Sequence, residues 1–201
     1  MDIAKNPDTS PDELAQLAKD ADADVRVGVA WNPNTPTLVL AELAKDPNAD
    51  VRARVAENPN TSPDVLAELA KDPNADVRIG VAWNAESRAL LAELAKDPNA
   101  DVRARVAENP NTSPARQAEL AKDEDADVRA EVARNRAALP ARLAQLAKDE
   151  DADVRAEVAR NPNTPPEVLR HLLADDNDYV REKAAENPNL PEEYRQLRRI
   201  N

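Results

Sequence analysis

The chain has 201 residues, a net charge of −12 at neutral pH, no cysteine and only 2% aromatic residues. The absence of cysteine excludes disulfides, thiolate metal sites and a cysteine nucleophile. The acidic balance argues against nucleic acids and anionic membrane surfaces as partners, because both attract Lys and Arg. We therefore expect no nucleic acid partner. No apolar stretch approaches the roughly 20 residues that span a bilayer, so we also expect no membrane insertion.

A Val-Arg pair recurs along the whole chain at a nearly constant interval. The interval is 26 residues at every step but one, between Arg78 and Arg103, where it is 25. A period of this size is typical of a solenoid, in which each repeat buries its apolar face only against its neighbours. The pairs end at Arg26, Arg52, Arg78, Arg103, Arg129, Arg155 and Arg181.

Each repeat is predicted to hold two short helices, with Ala, Leu and Val as the core. In the third repeat, helix A is predicted from Pro63 to about Lys71 and helix B from Pro73 to about Trp83, with Asp72 as its cap. The pattern does not distinguish an α-helix from a 3₁₀-helix for helix A. The fold class is thus an all-α solenoid in a single domain of 1–201. Its repeats lie near 6–31, 32–57, 58–83, 84–108, 109–134, 135–160 and 161–186, with a half-repeat cap over 187–201.

Two polar positions are constant along the chain, an Asn that opens each repeat and an Asp followed six residues later by Arg. Catalysis does not need seven copies of one acid, so we expect structural roles. Arg should reach the Asp of an adjacent repeat, and Asn should satisfy amides of its turn. The lone His171 stands at an exposed helix A position without partners for acid–base work. We therefore expect no enzymatic activity, no cofactor and no metal.

The segment Asn161-Pro162-Asn163-Thr164-Pro165-Pro166-Glu167-Val168-Leu169, followed by Asp178-Tyr179-Val180-Arg181, resembles the leucine-rich repeat variant family. The resemblance covers essentially the whole chain. It implies a right-handed superhelix of α- and 3₁₀-helices and a binding function, but no reaction. The iron–sulfur domain found in the family is not implied here, since the chain has no cysteine.

The repeats are more similar to one another in sequence than repeats that have diverged by natural mutation. Residues 40–63 are identical to residues 91–114, and residues 121–135 are identical to residues 147–161. The last repeat departs from this uniformity. Idealised interior repeats with an atypical cap are typical of a consensus or computationally designed array.

Two repeats depart from the others in a way that folding does not explain. Trp31 and Trp83 occupy a position that holds Glu or Arg in the other copies, and Gly28 and Gly80 stand three residues before them. A position that takes charged residues reaches water. Glycine destabilises a helix by about 1 kcal/mol relative to Ala, and we interpret it as room for a partner's backbone. The shortened turn of the fourth repeat is expected to shape a pocket.

The variable positions are predicted to form one continuous edge over repeats one to six, apolar in its first half and rich in Arg in its second. Exposed apolar patches rimmed by polar groups mark interaction sites, and Trp and Arg are enriched among binding hot spots. The sequence therefore predicts a protein-binding scaffold, monomeric when unbound. Its partner would be a folded protein, such as a receptor domain, with an apolar surface and an acidic rim. The candidate residues are Val27, Gly28, Trp31, Leu38, Val39, Ile79, Gly80, Trp83, Arg88, Leu90, Arg116, Arg134, Arg136, Leu139 and Arg142.

Two alternatives remain open at the level of sequence. The chain could be a consensus scaffold without a natural target, or it could associate with itself through the same edge. The first residues, Met1–Lys5, do not resemble a secretion signal, so we expect a soluble protein without a targeting signal.

Overall fold

The computed structural model describes residues 2–197 and the side chains of residues 3–194. Within these residues the chain forms sixteen helices and no strand, which confirms the predicted all-α repeat fold. Its contacts divide it into two compact units, Met1–Val102 and Arg103–Asn201. The single domain predicted over 1–201 stays a prediction.

The helices alternate between a shorter and a longer type, as the two-helix repeat requires. The shorter helices A are α2 Pro11–Leu17, α4 Thr37–Leu43, α6 Pro63–Leu69, α8 Arg88–Leu94, α10 Pro114–Leu120, α12 Pro140–Leu146 and α14 Pro166–Leu172. The longer helices B are α3 Ala23–Trp31, α5 Ala49–Glu57, α7 Ala75–Asn84, α9 Ala100–Glu108, α11 Ala126–Arg134, α13 Ala152–Arg160 and α15 Asp178–Glu186. The short helices α1 Asp2–Lys5 and α16 Glu192–Leu197 stand at the two ends.

Helix A is an α-helix of seven residues, which decides between the two helix types that the sequence left open. In α6 the Ser62 hydroxyl accepts the Val65 N–H at 3.4 Å, and proline fills the first helical position. After the helix, the Lys71 N–H donates to the carbonyl of Glu68, three residues back. This tightened last turn ends the helix two residues earlier than predicted.

The predicted cap of helix B is wrong by two residues. Helix α7 begins at Ala75, and the side chain of Asn74 accepts the Asp76 N–H at 2.7 Å as its N-cap. Asp72 instead accepts the Asn74 N–H at 2.9 Å in the turn before the helix. Asn and Asp both suit turns and caps, and the residue directly before the helix takes the cap.

The core consists of the aliphatic residues that the period predicted. In the third repeat, Val77, Val81 and Ala82 have no exposed surface. Helices B pack against one another in series, α3 on α5 and α5 on α7 in the first unit, and α11 on α13 and α13 on α15 in the second. This stacking places equivalent residues of neighbouring helices B on one face.

Arginine and aspartate join each repeat to the next, as predicted. Arg52 donates from Nε and Nη2 to the Asp72 carboxylate at 2.7 and 3.1 Å, and from Nη1 to the Asp46 carbonyl at 2.7 Å. Burial alone would raise the pKa of the Asp72 carboxyl. The hydrogen bonds from Arg52 and the Asn74 N–H outweigh burial, so the pKa lies below its ordinary value. Equivalent pairs are Arg26–Asp46, Arg78–Asp97, Arg103–Asp123, Arg129–Asp149 and Arg155–Asp175.

The asparagine that opens each repeat makes a second ladder. The Asn58 Oδ1 accepts the Asn60 N–H at 2.9 Å, which closes its own turn as predicted. Its Nδ2 also donates to the carbonyls of Ala30 and Asn32, at 2.7 and 2.9 Å. Asn58 thereby satisfies carbonyls at the end of the preceding helix B, a role that the sequence did not suggest.

Candidate binding surface

The two tryptophans lie on the surface of the first unit. Trp31 is 56% exposed and Trp83 is 59% exposed, in the last turns of α3 and α7. Helix α5 packs between these two helices. With helix axes about 8–10 Å apart, two repeats separate the indole rings by on the order of 20 Å on one face.

The glycines that precede the tryptophans are buried, contrary to the expectation that their position faces solvent. A Cβ on Gly80 would lie 2.9 Å from the Ala56 Cβ and 3.1 Å from the Ala53 carbonyl oxygen. A Cβ on Gly28 would lie 2.9 Å from the Ala4 Cβ. Both glycines therefore let helix B approach the preceding helix closely, and the interpretation that they make room for a partner is wrong.

Elsewhere the same two positions hold an ion pair within helix B. The Arg54 Nη1 lies 2.5 Å from the Glu57 carboxylate in α5, and in α13 the Arg160 Nη1 lies 2.6 Å from the Glu157 carboxylate. The Gly–Trp combination of α3 and α7 thus replaces a pair of opposite charges spaced three residues apart. Equivalent pairs are Arg105–Glu108, Glu131–Arg134 and Lys183–Glu186.

A groove follows the face of α3, α5 and α7, and we call it the helix-B groove. Its first part, about 310 Å³, is lined by Lys5, Val27, Trp31 and Arg54. Its second part, about 440 Å³, shares Val27 and Arg54 with the first and reaches Ile79. Among the remaining lining residues are Asp24, Asp50, Ala53, Glu57 and Asp76.

Ala53 explains why the helix-B groove is concave. It is the copy, in α5, of the position that holds Val27 in α3 and Ile79 in α7. A small residue between two β-branched ones leaves a depression on a stacked helix face. The depression was not predicted, although the alternation of Val, Ala and Ile is visible in the sequence.

Two neighbouring candidate residues in α4 differ in their exposure to solvent. Leu38 is 81% exposed, whereas Val39 is only 7% exposed. Val65 stands at the equivalent place in α6 and is also buried. Val39 therefore belongs to the core, and its assignment to the surface is wrong. The same position holds Glu13, Arg116 and Arg142 in other repeats, so the sequence did not show that it is buried here.

The pocket expected at the shortened turn is present. Helix α7 continues to Asn84, one residue further than the equivalent helix α5, and the Ala85 N–H donates to the Val81 carbonyl at 2.8 Å. A pocket of about 330 Å³ opens beside this turn, and Leu90 lies in its wall. Arg88 is exposed at the first residue of α8. We call this cavity the turn pocket.

The arginines predicted for the second half of the surface are mostly engaged within the second unit. Arg116 pairs with Glu119, and the Arg142 Nη1 donates to the Gln145 Oε1 at 2.5 Å. Arg134 contacts two carboxylates, those of Glu131 at 2.5 Å and Glu157 at 3.2 Å. Arg136 and Leu139 are exposed, Leu139 by 54%. The spacing of three residues to an acid or amide, visible in the sequence, could have identified these internal pairs.

Two buried carboxylates of the second unit have opposite pKa shifts. Burial raises the pKa of the Glu131 carboxyl, whose Oε2 is buried without a hydrogen-bond partner. Burial also raises the pKa of Glu157, but hydrogen bonds from Arg134 and Arg160 outweigh it, and the pKa is lowered. Nearby, the Gln117 Oε1 is also buried without a partner, at a position that holds Leu in most copies.

Within the first unit, the structure brings Val27, Trp31 and Ile79 together in the helix-B groove. Leu90 lies in the separate turn pocket. The continuous edge over six repeats stays a prediction. Among the described residues no group of three or more His, Cys, Asp or Glu could hold a metal ion. No helix in the described range is long and apolar enough to cross a membrane.

Comparison with known proteins identifies the repeat. The sequence model of the leucine-rich repeat variant family matches residues 49–74 and 152–177. A solved structure described as a leucine-rich repeat variant with a novel repetitive structural motif is 28% identical, with a TM-score of 0.70 over 92% of this chain and 75% of that chain. Two segments of this chain thus match leucine-rich repeat variant repeats, and the chain shares the fold of that solved structure.

Other solved structures share the fold of this chain at lower identity. The Escherichia coli protein YibA is 18% identical, with a TM-score of 0.58 over 92% of this chain and 83% of its own. An engineered protein is also 18% identical, with a TM-score of 0.50 over 90% of this chain and 70% of its own. No curated protein sequence matches the chain.

Proposed function

We propose that this chain is a protein-binding scaffold that engages a folded protein through the face of α3, α5 and α7. That face carries the helix-B groove with Trp31 in its wall, and Trp83 at the end of α7. The exposure of Trp31 and Trp83 carries the proposal, because other helices B hold ion pairs at their positions. A stable fold does not require two indole rings that are more than half exposed. Each Trp can bury about 150–250 Å² against a partner, and its truncation typically weakens binding by about 2–4 kcal/mol.

The charges around the helix-B groove narrow the chemistry of the partner. Asp24, Asp50, Asp76 and Glu57 line it together with Arg54. Residues 1–102 hold 19 of the 39 acidic residues but only 10 of the 27 basic ones. The partner surface that faces the groove is therefore apolar with basic groups beside it. The acidic rim expected of the partner stays a prediction.

We also propose that the chain is a designed array rather than a natural one. The segments 40–63 and 91–114 remain identical over their whole length. The structural similarity to an engineered protein supports the shared fold alone. A designed origin fits a chain whose interior repeats are idealised and whose last repeat differs from them.

A binding screen tests the proposal. The full chain is immobilised and probed with a panel of purified folded domains, and every binder is measured again with a Trp31→Glu, Trp83→Glu double variant. Binding should fall at least about 100-fold, since two anchors are lost. A Tyr179→Glu variant is the matched control, because Tyr179 is an exposed aromatic residue of α15, outside the helix-B groove. Equal binding by wild type and double variant would contradict the proposal.

The self-association alternative has a direct test as well. If the helix-B groove bound a second copy, the sedimentation coefficient would rise with protein concentration. The net charge of −12 opposes such pairing of like-charged copies. We therefore expect a constant monomeric value over a wide range of concentration.

A further inference from the structure

The turn pocket lies where the repeat period breaks, between α6 and α8. At other junctions an asparagine side chain bridges consecutive turns, as where Asn34 donates to the Pro7 carbonyl at 2.5 Å and Asn163 to the Arg136 carbonyl at 2.6 Å. Glu86 stands in this turn instead, and the Thr that follows the Asn in most copies is missing. The pocket therefore occupies the place of the turn residues that other repeats possess.

The wall of the turn pocket is mainly apolar. Its volume of about 330 Å³ exceeds that of an engineered apolar cavity of about 150 Å³ that holds benzene. An aromatic or leucine-sized side chain therefore fits within it. The apolar lining residues are Pro59, Pro63, Leu66, Ala67, Ala85 and Leu90.

Two polar side chains in the wall, those of Thr61 and Asn84, already have partners inside the chain. The Thr61 hydroxyl donates to the Val55 carbonyl at 2.5 Å. The Asn84 Nδ2 donates to the carbonyls of Ala56 and Asn58, at 2.9 and 2.8 Å. A polar occupant would find few groups to bond, so an apolar occupant gains more from entering.

The charge and position of the pocket wall further restrict the kind of group that can bind there. Glu86 is exposed and is the charged residue among those that line the pocket, so it disfavours an acidic occupant. Asn84, the residue directly after Trp83 in the chain, lies in the wall. The pocket thus adjoins the end of α7, where an indole ring of the proposed binding surface is exposed.

We infer that the turn pocket accepts one large uncharged apolar side chain, aromatic or leucine-like, that projects from the bound protein partner. The inference rests on the proposed protein-binding function and adds a second anchor to it. Full burial of such a side chain strengthens binding by roughly tenfold to a hundredfold. The one-residue deletion in the fourth repeat would then serve binding, because the shortened turn opens the pocket.

The test uses the full chain and amino-acid amides, and needs no knowledge of the partner. N-acetyl-phenylalaninamide, N-acetyl-leucinamide and N-acetyl-lysinamide are titrated into the isotope-labelled protein, and the methyl signals of Ala67, Ala85 and Leu90 are followed by NMR. The two apolar amides should shift these signals with saturation in the range of about 1–10 mM. The lysine amide should bind at least about fivefold more weakly, because the pocket is apolar. The Ala41 methyl, at the position of Ala67 in the second repeat, serves as the internal control.

Two variants close the pocket by different routes. In one, Ala85-Glu86 is replaced by Pro-Asn-Thr, the sequence of residues 59–61, which restores the 26-residue turn. In the other, Ala67→Leu fills the pocket from its wall. Both should fold and lose the saturable shifts, and this result would support the inference.

Three results would overturn the inference: no saturable shift at the pocket, equal shifts in both closed variants, or equal binding of the lysine amide. None of these results would contradict the proposed function, because the binding screen tests Trp31 and Trp83 and not the turn pocket. Conversely, loss of the tryptophan effect with intact pocket titrations would remove the proposed function alone.

Discussion

Helices α7 and α13 occupy the same place in their repeats but present different surfaces. In α13, Glu157 and Arg160 form an ion pair, and Arg134 of the preceding helix joins it. In α7, Gly80 packs against the preceding helix and Trp83 is exposed. Both helices keep the same buried Val and Ala residues, so the core does not require the difference. The buried Val and Ala residues are therefore what the repeat needs to fold, whereas the Gly–Trp combination is a feature that α7 adds to it.

Adding a side chain at Gly80 should have the largest effect on stability. A Gly80→Glu variant, which copies α13, should lower the unfolding free energy by about 2–3 kcal/mol, because its Cβ would overlap Ala56. Chemical denaturation followed by circular dichroism measures the change. In the reverse direction, Glu157→Gly should cost more than the roughly 1 kcal/mol of glycine in a helix, because the ion pairs with Arg134 and Arg160 are lost as well.

The smaller Gly80→Ala change decides between the two interpretations of this glycine. If the position were open to solvent, alanine would stabilise the helix by about 1 kcal/mol. We expect a net loss of stability instead, since the added Cβ would also approach the Ala53 carbonyl oxygen.

Acid should weaken the Arg–Asp ladder shared by both units. Hydrogen bonding to Arg155 lowers the pKa of the Asp175 carboxyl to about 2. The folded pKa lies below the unfolded value of about 3.9, so the stabilisation is present above pH 4 and is lost as the pH falls towards 2. Wild type should therefore exceed Asp175→Asn in unfolding free energy by on the order of 1 kcal/mol at pH 5, and the gap should close at pH 2.

The control for the acid experiment is Asp153→Asn, an exposed carboxylate of the same unit. Its difference from wild type should stay small at both pH values. A gap between wild type and Asp175→Asn that stayed constant from pH 5 to pH 2 would show that the Arg155 bond does not set the stability.

Glu131 should show a smaller effect of the opposite sign. Burial raises the pKa of its carboxyl, so the folded state favours the protonated form, and this contribution is lost as the pH rises through the folded pKa. Glu131→Gln should therefore be more stable than wild type by about 0.5 kcal/mol at pH 7, allowing for solvent screening, and equal to it at pH 4. Glu157→Gln should lose stability at pH 7, because Arg134 and Arg160 stabilise its charged form.

The tryptophans should matter least for folding. Trp31→Glu and Trp83→Glu each restore a residue that neighbouring repeats carry, and both indole rings are more than half exposed. We expect each change to alter the unfolding free energy by less than about 0.5 kcal/mol. A loss of several kcal/mol would mean that the rings belong to the core.

The repeat itself was predictable from the sequence because it rests on periodic apolar residues. The buried positions Val77, Val81 and Ala82 follow from spacing alone. The exposure of Trp31 and Trp83 followed from the charged residues at the same position in other copies. These inferences needed only comparison between repeats.

What could not be predicted depends on distances between helices. The sequence shows glycine at position 80 but not that α5 approaches within contact of a Cβ there. The cap of helix B was misassigned because Asp72 and Asn74 have similar turn chemistry, and only the backbone geometry decides between them. The core role of Val39 was missed because the same position holds Glu13, Arg116 and Arg142 in other repeats, so comparison of the copies indicated an exposed site.

Fluorine NMR of the chain labelled with 5-fluorotryptophan tests the central claim most directly, because the chain has only two tryptophans and both lie at the proposed surface. In the free protein, both signals should show the solvent isotope shift of exposed rings. On addition of a domain from the binding screen, both should lose that shift with saturation. A signal that is shielded in the free protein, or two signals that stay exposed in the complex, would contradict the account.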